Sequence, residues 1–223
     1  MKKRAVIFDL DGTLQDSSPA IANAINYVRK RLGLPPLPDE EILSKVNDPH
    51  LNAAEYFYES ERFEPIHETW FSEYFSRHHT QQIRLYDGIR ELLQWLKSRG
   101  CLLAVATNAY RRSTLESLKH LGIGHFFDAV VSYDDVGRGK PAPDMLLEIL
   151  RSLHLRPEEA LFVGDGERDR LAAQAAGIDF LLVDWGFSDH AEAIADVGAL
   201  MKALKTLCNH TPKSLNKCSQ IRF

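Results

Sequence analysis

Four short runs of continuous apolar residues punctuate the chain: Ala5 to Phe8, Leu102 to Ala106, Ala160 to Val163 and Phe180 to Val183. Ala129-Val130-Val131 is a weaker fifth. Continuous rather than alternating hydrophobicity predicts strands covered on both faces, as in a parallel sheet. Helical stripes lie between them. Ile89, Leu92, Leu93 and Leu96 share a face before Gly100, and Leu115, Leu118 and Leu121 do so before Gly122. Met145, Leu146, Ile149, Leu150 and Leu153 make another stripe, and Leu171, Ala172, Ala175 and Ala176 precede Gly177, a helix stop. Strands alternating with helices at this spacing read as βαβ units, so the expected fold class is α/β, a doubly wound and mostly parallel sheet.

One stretch breaks this rhythm. From about Ser17 to Arg84 the pattern carries helix signals and no strand. Ser18 followed by Pro19 reads as an N-cap and first-turn pair. Ile21, Ile25, Val28 and Leu32 then lie on one face, and a Pro-rich turn at residues 34–38 ends that helix. Asp39-Glu40-Glu41 suits the start of a second helix. Aromatic-rich segments at Leu51 to Phe63 and Ile66 to Phe75 give two more. The expected division is a discontinuous core of residues 1–16 and 85–207, an inserted helical unit of residues 17–84, and a polar tail of residues 208–223.

Composition narrows the class. Of 223 residues, 44 % are hydrophobic and 26 % charged, as in a soluble globular protein. The 27 basic and 31 acidic residues leave a net charge of −4, which makes no electrostatic case for a nucleic-acid partner. No apolar run approaches the roughly 18–20 residues of a membrane helix. After Met-Lys-Lys-Arg the apolar stretch is broken at once by Asp9 and Asp11, unlike a secretory signal. The expectation is a cytoplasmic protein with no membrane partner; the pattern does not speak to oligomeric state. The odd cysteine count and wide spacing argue against a disulfide framework or zinc knuckle. Cys101 opens an apolar run and reads as core, whereas Cys208 and Cys218 read as parts of a loosely held tail.

The chemistry gathers where strands end. The first strand runs into Asp9-Leu10-Asp11-Gly12-Thr13. In α/β sheets ligands bind beyond the C-terminal ends of strands. Crowded carboxylates repel each other there, a cost that a bound cation removes. The second run ends at Thr107-Asn108, where a hydroxyl and backbone amides could hold an anionic oxygen; Thr107 reads equally as an N-cap for a helix beginning near Arg111. Lys140 sits in a stiff Gly/Pro loop, able to deliver one positive charge to a fixed place or to stand in solvent. The fourth run ends at Gly164-Asp165-Gly166-Glu167-Arg168-Asp169, a second acidic pair. Asp165 with Asp9 and a backbone carbonyl would suit a hard cation such as Mg²⁺, which takes carboxylate oxygens and keeps several waters.

These pieces, in this order, resemble the haloacid dehalogenase-like superfamily. The matches are Asp9-Leu10-Asp11-Gly12-Thr13, Thr107-Asn108, Lys140, and Gly164-Asp165 with Asp169. Leu14 with Asp16-Ser17, the loop from Gly137 to Asp144, and Ala172 to Ile178 are similar to the phosphoglycolate phosphatase-like branch. The resemblance covers roughly residues 4–16 and 85–187. It implies an Mg²⁺-dependent phosphatase of small phosphate esters. Asp9 would be the nucleophile forming an aspartyl phosphate, and Asp11 the general acid and base. Thr107, Asn108 and Lys140 would bind the phosphoryl group, and Asp9, the carbonyl of Asp11, Asp165 and Asp169 would serve the metal.

The helical insert matches the position of a cap that closes over the site in that superfamily. Relatives commonly carry a Gly in the cap loop; residues 45–50, Lys-Val-Asn-Asp-Pro-His, have none, which weighs against phosphoglycolate itself. Lys45 and His50 are candidate substrate contacts there, with a plain surface role as the alternative. His78 and His79 make a weak metal candidate. The alternative enzyme is a phosphomutase of the β-phosphoglucomutase type, which returns the phosphoryl group to a sugar. A catalytically dead binding protein is the non-enzyme alternative, opposed by the intact polar motifs. Asp11 argues against a dehalogenase, and Asp-Lys-Thr-Gly-Thr and membrane spans, the marks of an ion-pump ATPase, are absent from the sequence.

Overall fold

The five apolar runs form one parallel sheet, with the first run at its centre. The structure, a computed structural model, describes residues 2–46, 48, 50–185 and 192–208. Strand β1 (Ala5–Phe8) pairs on one side with β4 (Leu102–Ala106) and on the other with β6 (Ala160–Gly164). Strands β5 (Ala129–Val131) and β7 (Asp179–Leu182) complete the order β5-β4-β1-β6-β7. Val183 falls just beyond β7, in an isolated bridge to Ile194.

Alternation along the strands explains why the runs are continuously apolar. Val6, Phe8, Leu103, Val105, Leu161 and Val163 face one hydrophobic cluster, while Ala5, Ile7, Ala104, Ala106, Ala160 and Phe162 face the other. The first face is covered by α5 (Ile89–Ser98), by Leu118 of α6 (Arg111–His120), and by Leu200 and Leu204 of α9 (Val197–Leu207). The second is covered by α7 (Asp144–Ser152) and by Ala172, Ala173 and Ala176 of α8 (Glu167–Ala176). Neither face meets water, so neither demands a polar alternate position.

Between β1 and the rest of the sheet come α1 (Ser18–Arg31), α2 (Asp39–Val46), α3 (Ala53–Tyr58) and α4 (Pro65–Gln82). They share a small core of their own, built from Ala22, Ile25, Val28, Ile42, Phe57 and Tyr58. The buried Arg29 ties it together: its guanidinium donates to Pro35 O at 2.7 Å and Phe57 O at 2.6 Å. Charge-assisted bonds of this kind satisfy carbonyls that a Pro-rich turn and a short helix end would leave orphaned. No helix among the described residues is long and apolar enough to cross a membrane.

Three local readings are corrected. A two-stranded antiparallel ribbon, β2 (Gln15–Asp16) with β3 (Arg84–Leu85), joins the two ends of the helical segment, where no strand was expected. Ser18 lies inside α1 rather than capping it; its amide donates to Asp16 Oδ1 at 3.1 Å. Cys208, expected in a loose tail, is fully buried at the end of α9 in the same cluster as Cys101. Cys218 and the tail beyond Cys208 lie outside the described residues.

Asp16 is therefore a junction. Its buried carboxylate accepts from the Ser18 amide and, through Oδ2, from Arg84 Nε at 3.1 Å and a terminal Arg84 nitrogen at 2.9 Å. Asp16→Ala is expected to cost about 1–3 kcal/mol of stability, because it strands these donors. Arg84→Ala should cost less than about 1 kcal/mol, since that side chain is 81 % exposed. Urea unfolding of both variants checks this; equal losses would remove Asp16 as the junction.

Candidate active site

Asp9 is the first residue past β1, and its amide still follows the sheet, donating to Val163 O at 2.9 Å. That register aims its carboxylate into a cleft at the C-terminal ends of β1, β4 and β6, where it is only 8 % exposed. The chain then turns sharply. Gly12 has φ +79°, and a Cβ there would lie 2.1 Å from Asp165 Oδ2, so both backbone and neighbour require glycine. The turn brings Thr13 Oγ1 to donate to Asp165 Oδ1 at 3.2 Å, and Trp185 Nε1 holds the Thr13 carbonyl at 3.1 Å. Gln15 Nε2 donates to Asp11 Oδ1 at 2.7 Å, fixing the second carboxylate.

Lys140 reaches the cleft from the loop before α7. Its ammonium lies 2.7 Å from Asp9 Oδ1 and 2.6 Å from Asp169 Oδ1, and its residue is 7 % exposed. The solvent reading of this lysine is thus excluded. The Asn108 side chain sets its position, accepting from Lys140 N at 2.8 Å and donating to Lys140 O at 3.0 Å. Asn108 lines the cavity, with its amide group committed to Lys140. Thr107 also lines it; its hydroxyl accepts from Ala109 N at 3.1 Å, and Tyr110, not Thr107, holds the N-cap position of α6.

Three of the four candidate acidic residues come together; the Asp11 carboxylate is not in the group. Carboxylate oxygens of Asp9, Asp165 and Asp169 lie within 4.8 Å of one another. Asp169 is buried in the first turn of α8, where its Oδ2 accepts from Gly166 N at 3.2 Å. A Cβ on Gly164 would sit 2.6 Å from Asp169 Cβ, so this strand end too admits only glycine. Burial pushes the Asp9 carboxyl up to about 7, against the pull of Lys140, with Asp169 and Asp11 adding repulsion. Burial, with Asp9 and Asp169 adding to it, holds Asp165 well above the usual carboxylate range. Burial alone would lower the Lys140 ammonium, but Asp169 and Asp9 outweigh it and hold Lys140 above its usual value. Three carboxylates around one ammonium leave negative charge in excess. All the donors are hard oxygens, so the cluster fits a divalent metal ion.

The cleft opens into a cavity of about 800 Å³ between the sheet end and helices α1, α2 and α4 of the insert. From the helical side come Ile21, Leu43, Val46, Phe63, Phe71 and Phe75, an apolar wall. Lys45 and His50 are not among the lining residues, and Asn47 and Pro49 of that loop lie outside the described residues. His79 is a buried residue of α4, its Nδ1 2.8 Å from Phe75 O one turn earlier, and belongs to no metal cluster among the described residues. Thr13, Gln15 and Arg168 are site residues that the sequence reading missed. Thr13 stood inside the first motif; Gln15 and Arg168 carried no signal beyond their nearness to Asp11 and Asp169.

Comparison with known proteins agrees with this geometry. Residues 6–183 match the haloacid dehalogenase-like hydrolase family. A phosphoglycolate phosphatase from Chromobacterium violaceum is 34 % identical over 201 residues, covering 87 % of this chain and 90 % of its own. One from Rhodobacter capsulatus is 35 % identical over 208 residues, covering 88 % and 94 %. The solved structure of a haloacid dehalogenase-like family hydrolase from Streptococcus pneumoniae superposes with a TM-score of 0.72 at 29 % identity, covering 85 % of this chain and 89 % of its own. With an ordered set of strand-end carboxylates and one buried lysine at the same cleft, the chain belongs to the haloacid dehalogenase-like hydrolases, on their phosphoglycolate phosphatase-like branch.

Proposed function

We propose that this chain is an Mg²⁺-dependent phosphatase that transfers the phosphoryl group of a small phosphate monoester to Asp9 and then to water. The observation that carries the reading is the Asp9 carboxylate, held at the strand end by Lys140 and facing Asp165 and Asp169.

An Mg²⁺ ion would be held by Asp9, Asp165, the carbonyl of Asp11 and, directly or through water, Asp169. When bound it would offset the phosphate's charge and polarise its oxygens. The remaining work belongs to the chain's own side chains. Asp9 attacks phosphorus, forming an acyl phosphate as the bond to the alcohol oxygen breaks. Asp11, oriented by Gln15, gives a proton to the departing oxygen, then takes one from the water that attacks phosphorus. The acyl phosphate bond breaks, and Asp9 and inorganic phosphate are released. Lys140 and Thr107 stabilise the phosphoryl oxygens, with Asn108 fixing the lysine backbone. The inserted helices, forming the cap of residues 17–84, exclude water from this chemistry and choose the alcohol.

Release of inorganic phosphate from p-nitrophenyl phosphate and from a panel of metabolite monoesters, with Mg²⁺ and after chelation, tests the reading. Turnover undiminished by exhaustive chelation would refute the metal, and isomerisation of a sugar phosphate without release would favour the mutase. Asp165→Ala is expected to abolish activity or to raise the Mg²⁺ requirement sharply.

Asp9→Asn separates chemistry from stability. Turnover should vanish, since an amide is a poor nucleophile. In chelated protein, ionisation of Asp9 opposes folding, because its folded value is raised above the unfolded one. The folded state then binds more protons, so stability falls as pH rises from about 4 to about 7. The Asn variant should therefore melt higher than wild type at pH 8 without metal, and the gap should close towards pH 4. An Asn variant that melts lower at pH 8 would contradict the electrostatics. Asp11→Asn should slow hydrolysis of alkyl phosphates about 10²–10⁴-fold. Esters of p-nitrophenol, which leave without a proton, should suffer less in the first step. Equal losses in a burst-phase measurement would deny Asp11 the acid role.

A further inference from the structure

Arg168 is the second residue of α8, one position before Asp169, and its side chain turns into the cavity. It is half-buried, and burial lowers its guanidinium from the usual value. Among the described residues it has neither a hydrogen-bond acceptor nor an ion-pair partner; the carboxylates of Asp169 and Asp48 act on it only at longer range. The other cations of the cavity wall are paired. Lys140 holds Asp9 and Asp169, and Arg112 lies 3.0 Å from Glu116. A guanidinium carries five donors in a planar fork suited to carboxylate and phosphate. Leaving all of them without a protein partner in a half-dry wall costs stability unless a ligand supplies the acceptor.

The surroundings of Arg168 point the same way. It lines both the main cavity and an adjoining recess of about 320 Å³, together with Phe63, Phe71 and Tyr110. Phe63 and Tyr110 are among the large apolar side chains most exposed in the chain, at 49 % and 47 %. Apolar rings lining the same cavity as this guanidinium would exclude water from a bound anion and so strengthen its attraction.

We propose that Arg168, walled by Phe63, Phe71 and Tyr110, is a subsite for a second acidic group on the substrate. The preferred ester then carries a carboxylate or a second phosphoryl group on its alcohol half. The inference rests on the phosphatase reading above and deepens it: Asp9 and its neighbours take the scissile phosphate, and Arg168 selects the alcohol.

The test uses competitive inhibition of p-nitrophenyl phosphate hydrolysis, at constant free Mg²⁺, by ethylphosphonate, phosphonoacetate and methylenediphosphonate. The three share one phosphonate and differ in bearing no further charge, a carboxylate, or a second phosphonate. At least one acidic inhibitor should bind wild type about 10–100-fold more tightly than ethylphosphonate. Whichever gains more identifies carboxylate or phosphate as the recognised group. Arg168→Gln should reduce that advantage to within about twofold, and Arg168→Lys should keep part of it. Equal inhibition by all three in wild type would overturn the inference without any variant. So would an advantage that survives in Arg168→Gln. Loss of p-nitrophenyl phosphate hydrolysis by wild type itself would instead sink the phosphatase reading.

Discussion

The site depends on one buried ammonium placed among more carboxylates than it can neutralise. Lys140 bridges Asp9 and Asp169, with Asp165 beside them, so each acidic group is held in a position it would otherwise leave. Much of the local structure serves this arrangement. Gly12 and Gly164 remove the Cβ atoms that would collide with Asp165 and Asp169. Asn108 grips both backbone groups of Lys140, and Gln15 anchors Asp11. The remaining negative charge is unstable on its own, and a dianionic phosphate would add to it. A divalent cation resolves both problems, which links the electrostatics of the resting cleft to the proposed chemistry.

The sheet makes that crowding affordable. Parallel strands with helices over both faces bury Val6 and Phe8 on one side and Ala5 and Ile7 on the other. The strand ends therefore start from a rigid frame, and each carboxylate leaves it at a fixed height. This is also why the core was legible in the sequence. A strand covered on both faces needs an unbroken apolar run, and an acidic residue ending such a run stands out.

What was not legible has physical reasons too. The ribbon of Gln15–Asp16 with Arg84–Leu85 is two residues long on each side, too short for any period, and its partners are far apart in the chain. Asn108 acts through Lys140, 32 positions away, a contact that no local pattern encodes, while Gln15 and Arg168 are ordinary polar types whose place beside Asp11 and in the cavity wall only the folded chain reveals. Cys208 lies next to a polar stretch in the sequence, but the preceding helix carries it into the main core beside Cys101. In the helical insert the pattern located the helices but not their facing surfaces. Lys45 and His50 looked suited to a substrate by type, whereas the cavity wall is made by Leu43, Val46 and three phenylalanines.

The proposed division of labour suits a site built on strand ends: rigid elements hold the reacting groups, and the inserted element would choose what reaches them. The central claim is that Asp9 takes the phosphoryl group before water does. It is tested most directly by acid-quenching the enzyme during steady turnover, reducing it with borohydride and mapping its peptides by mass spectrometry. Reduction of an aspartyl phosphate yields homoserine. The account predicts homoserine at position 9, dependent on substrate and Mg²⁺ and absent from positions 11, 165 and 169. Homoserine at another of these positions, or none at position 9 when quenching traps the enzyme at saturating substrate, would contradict it.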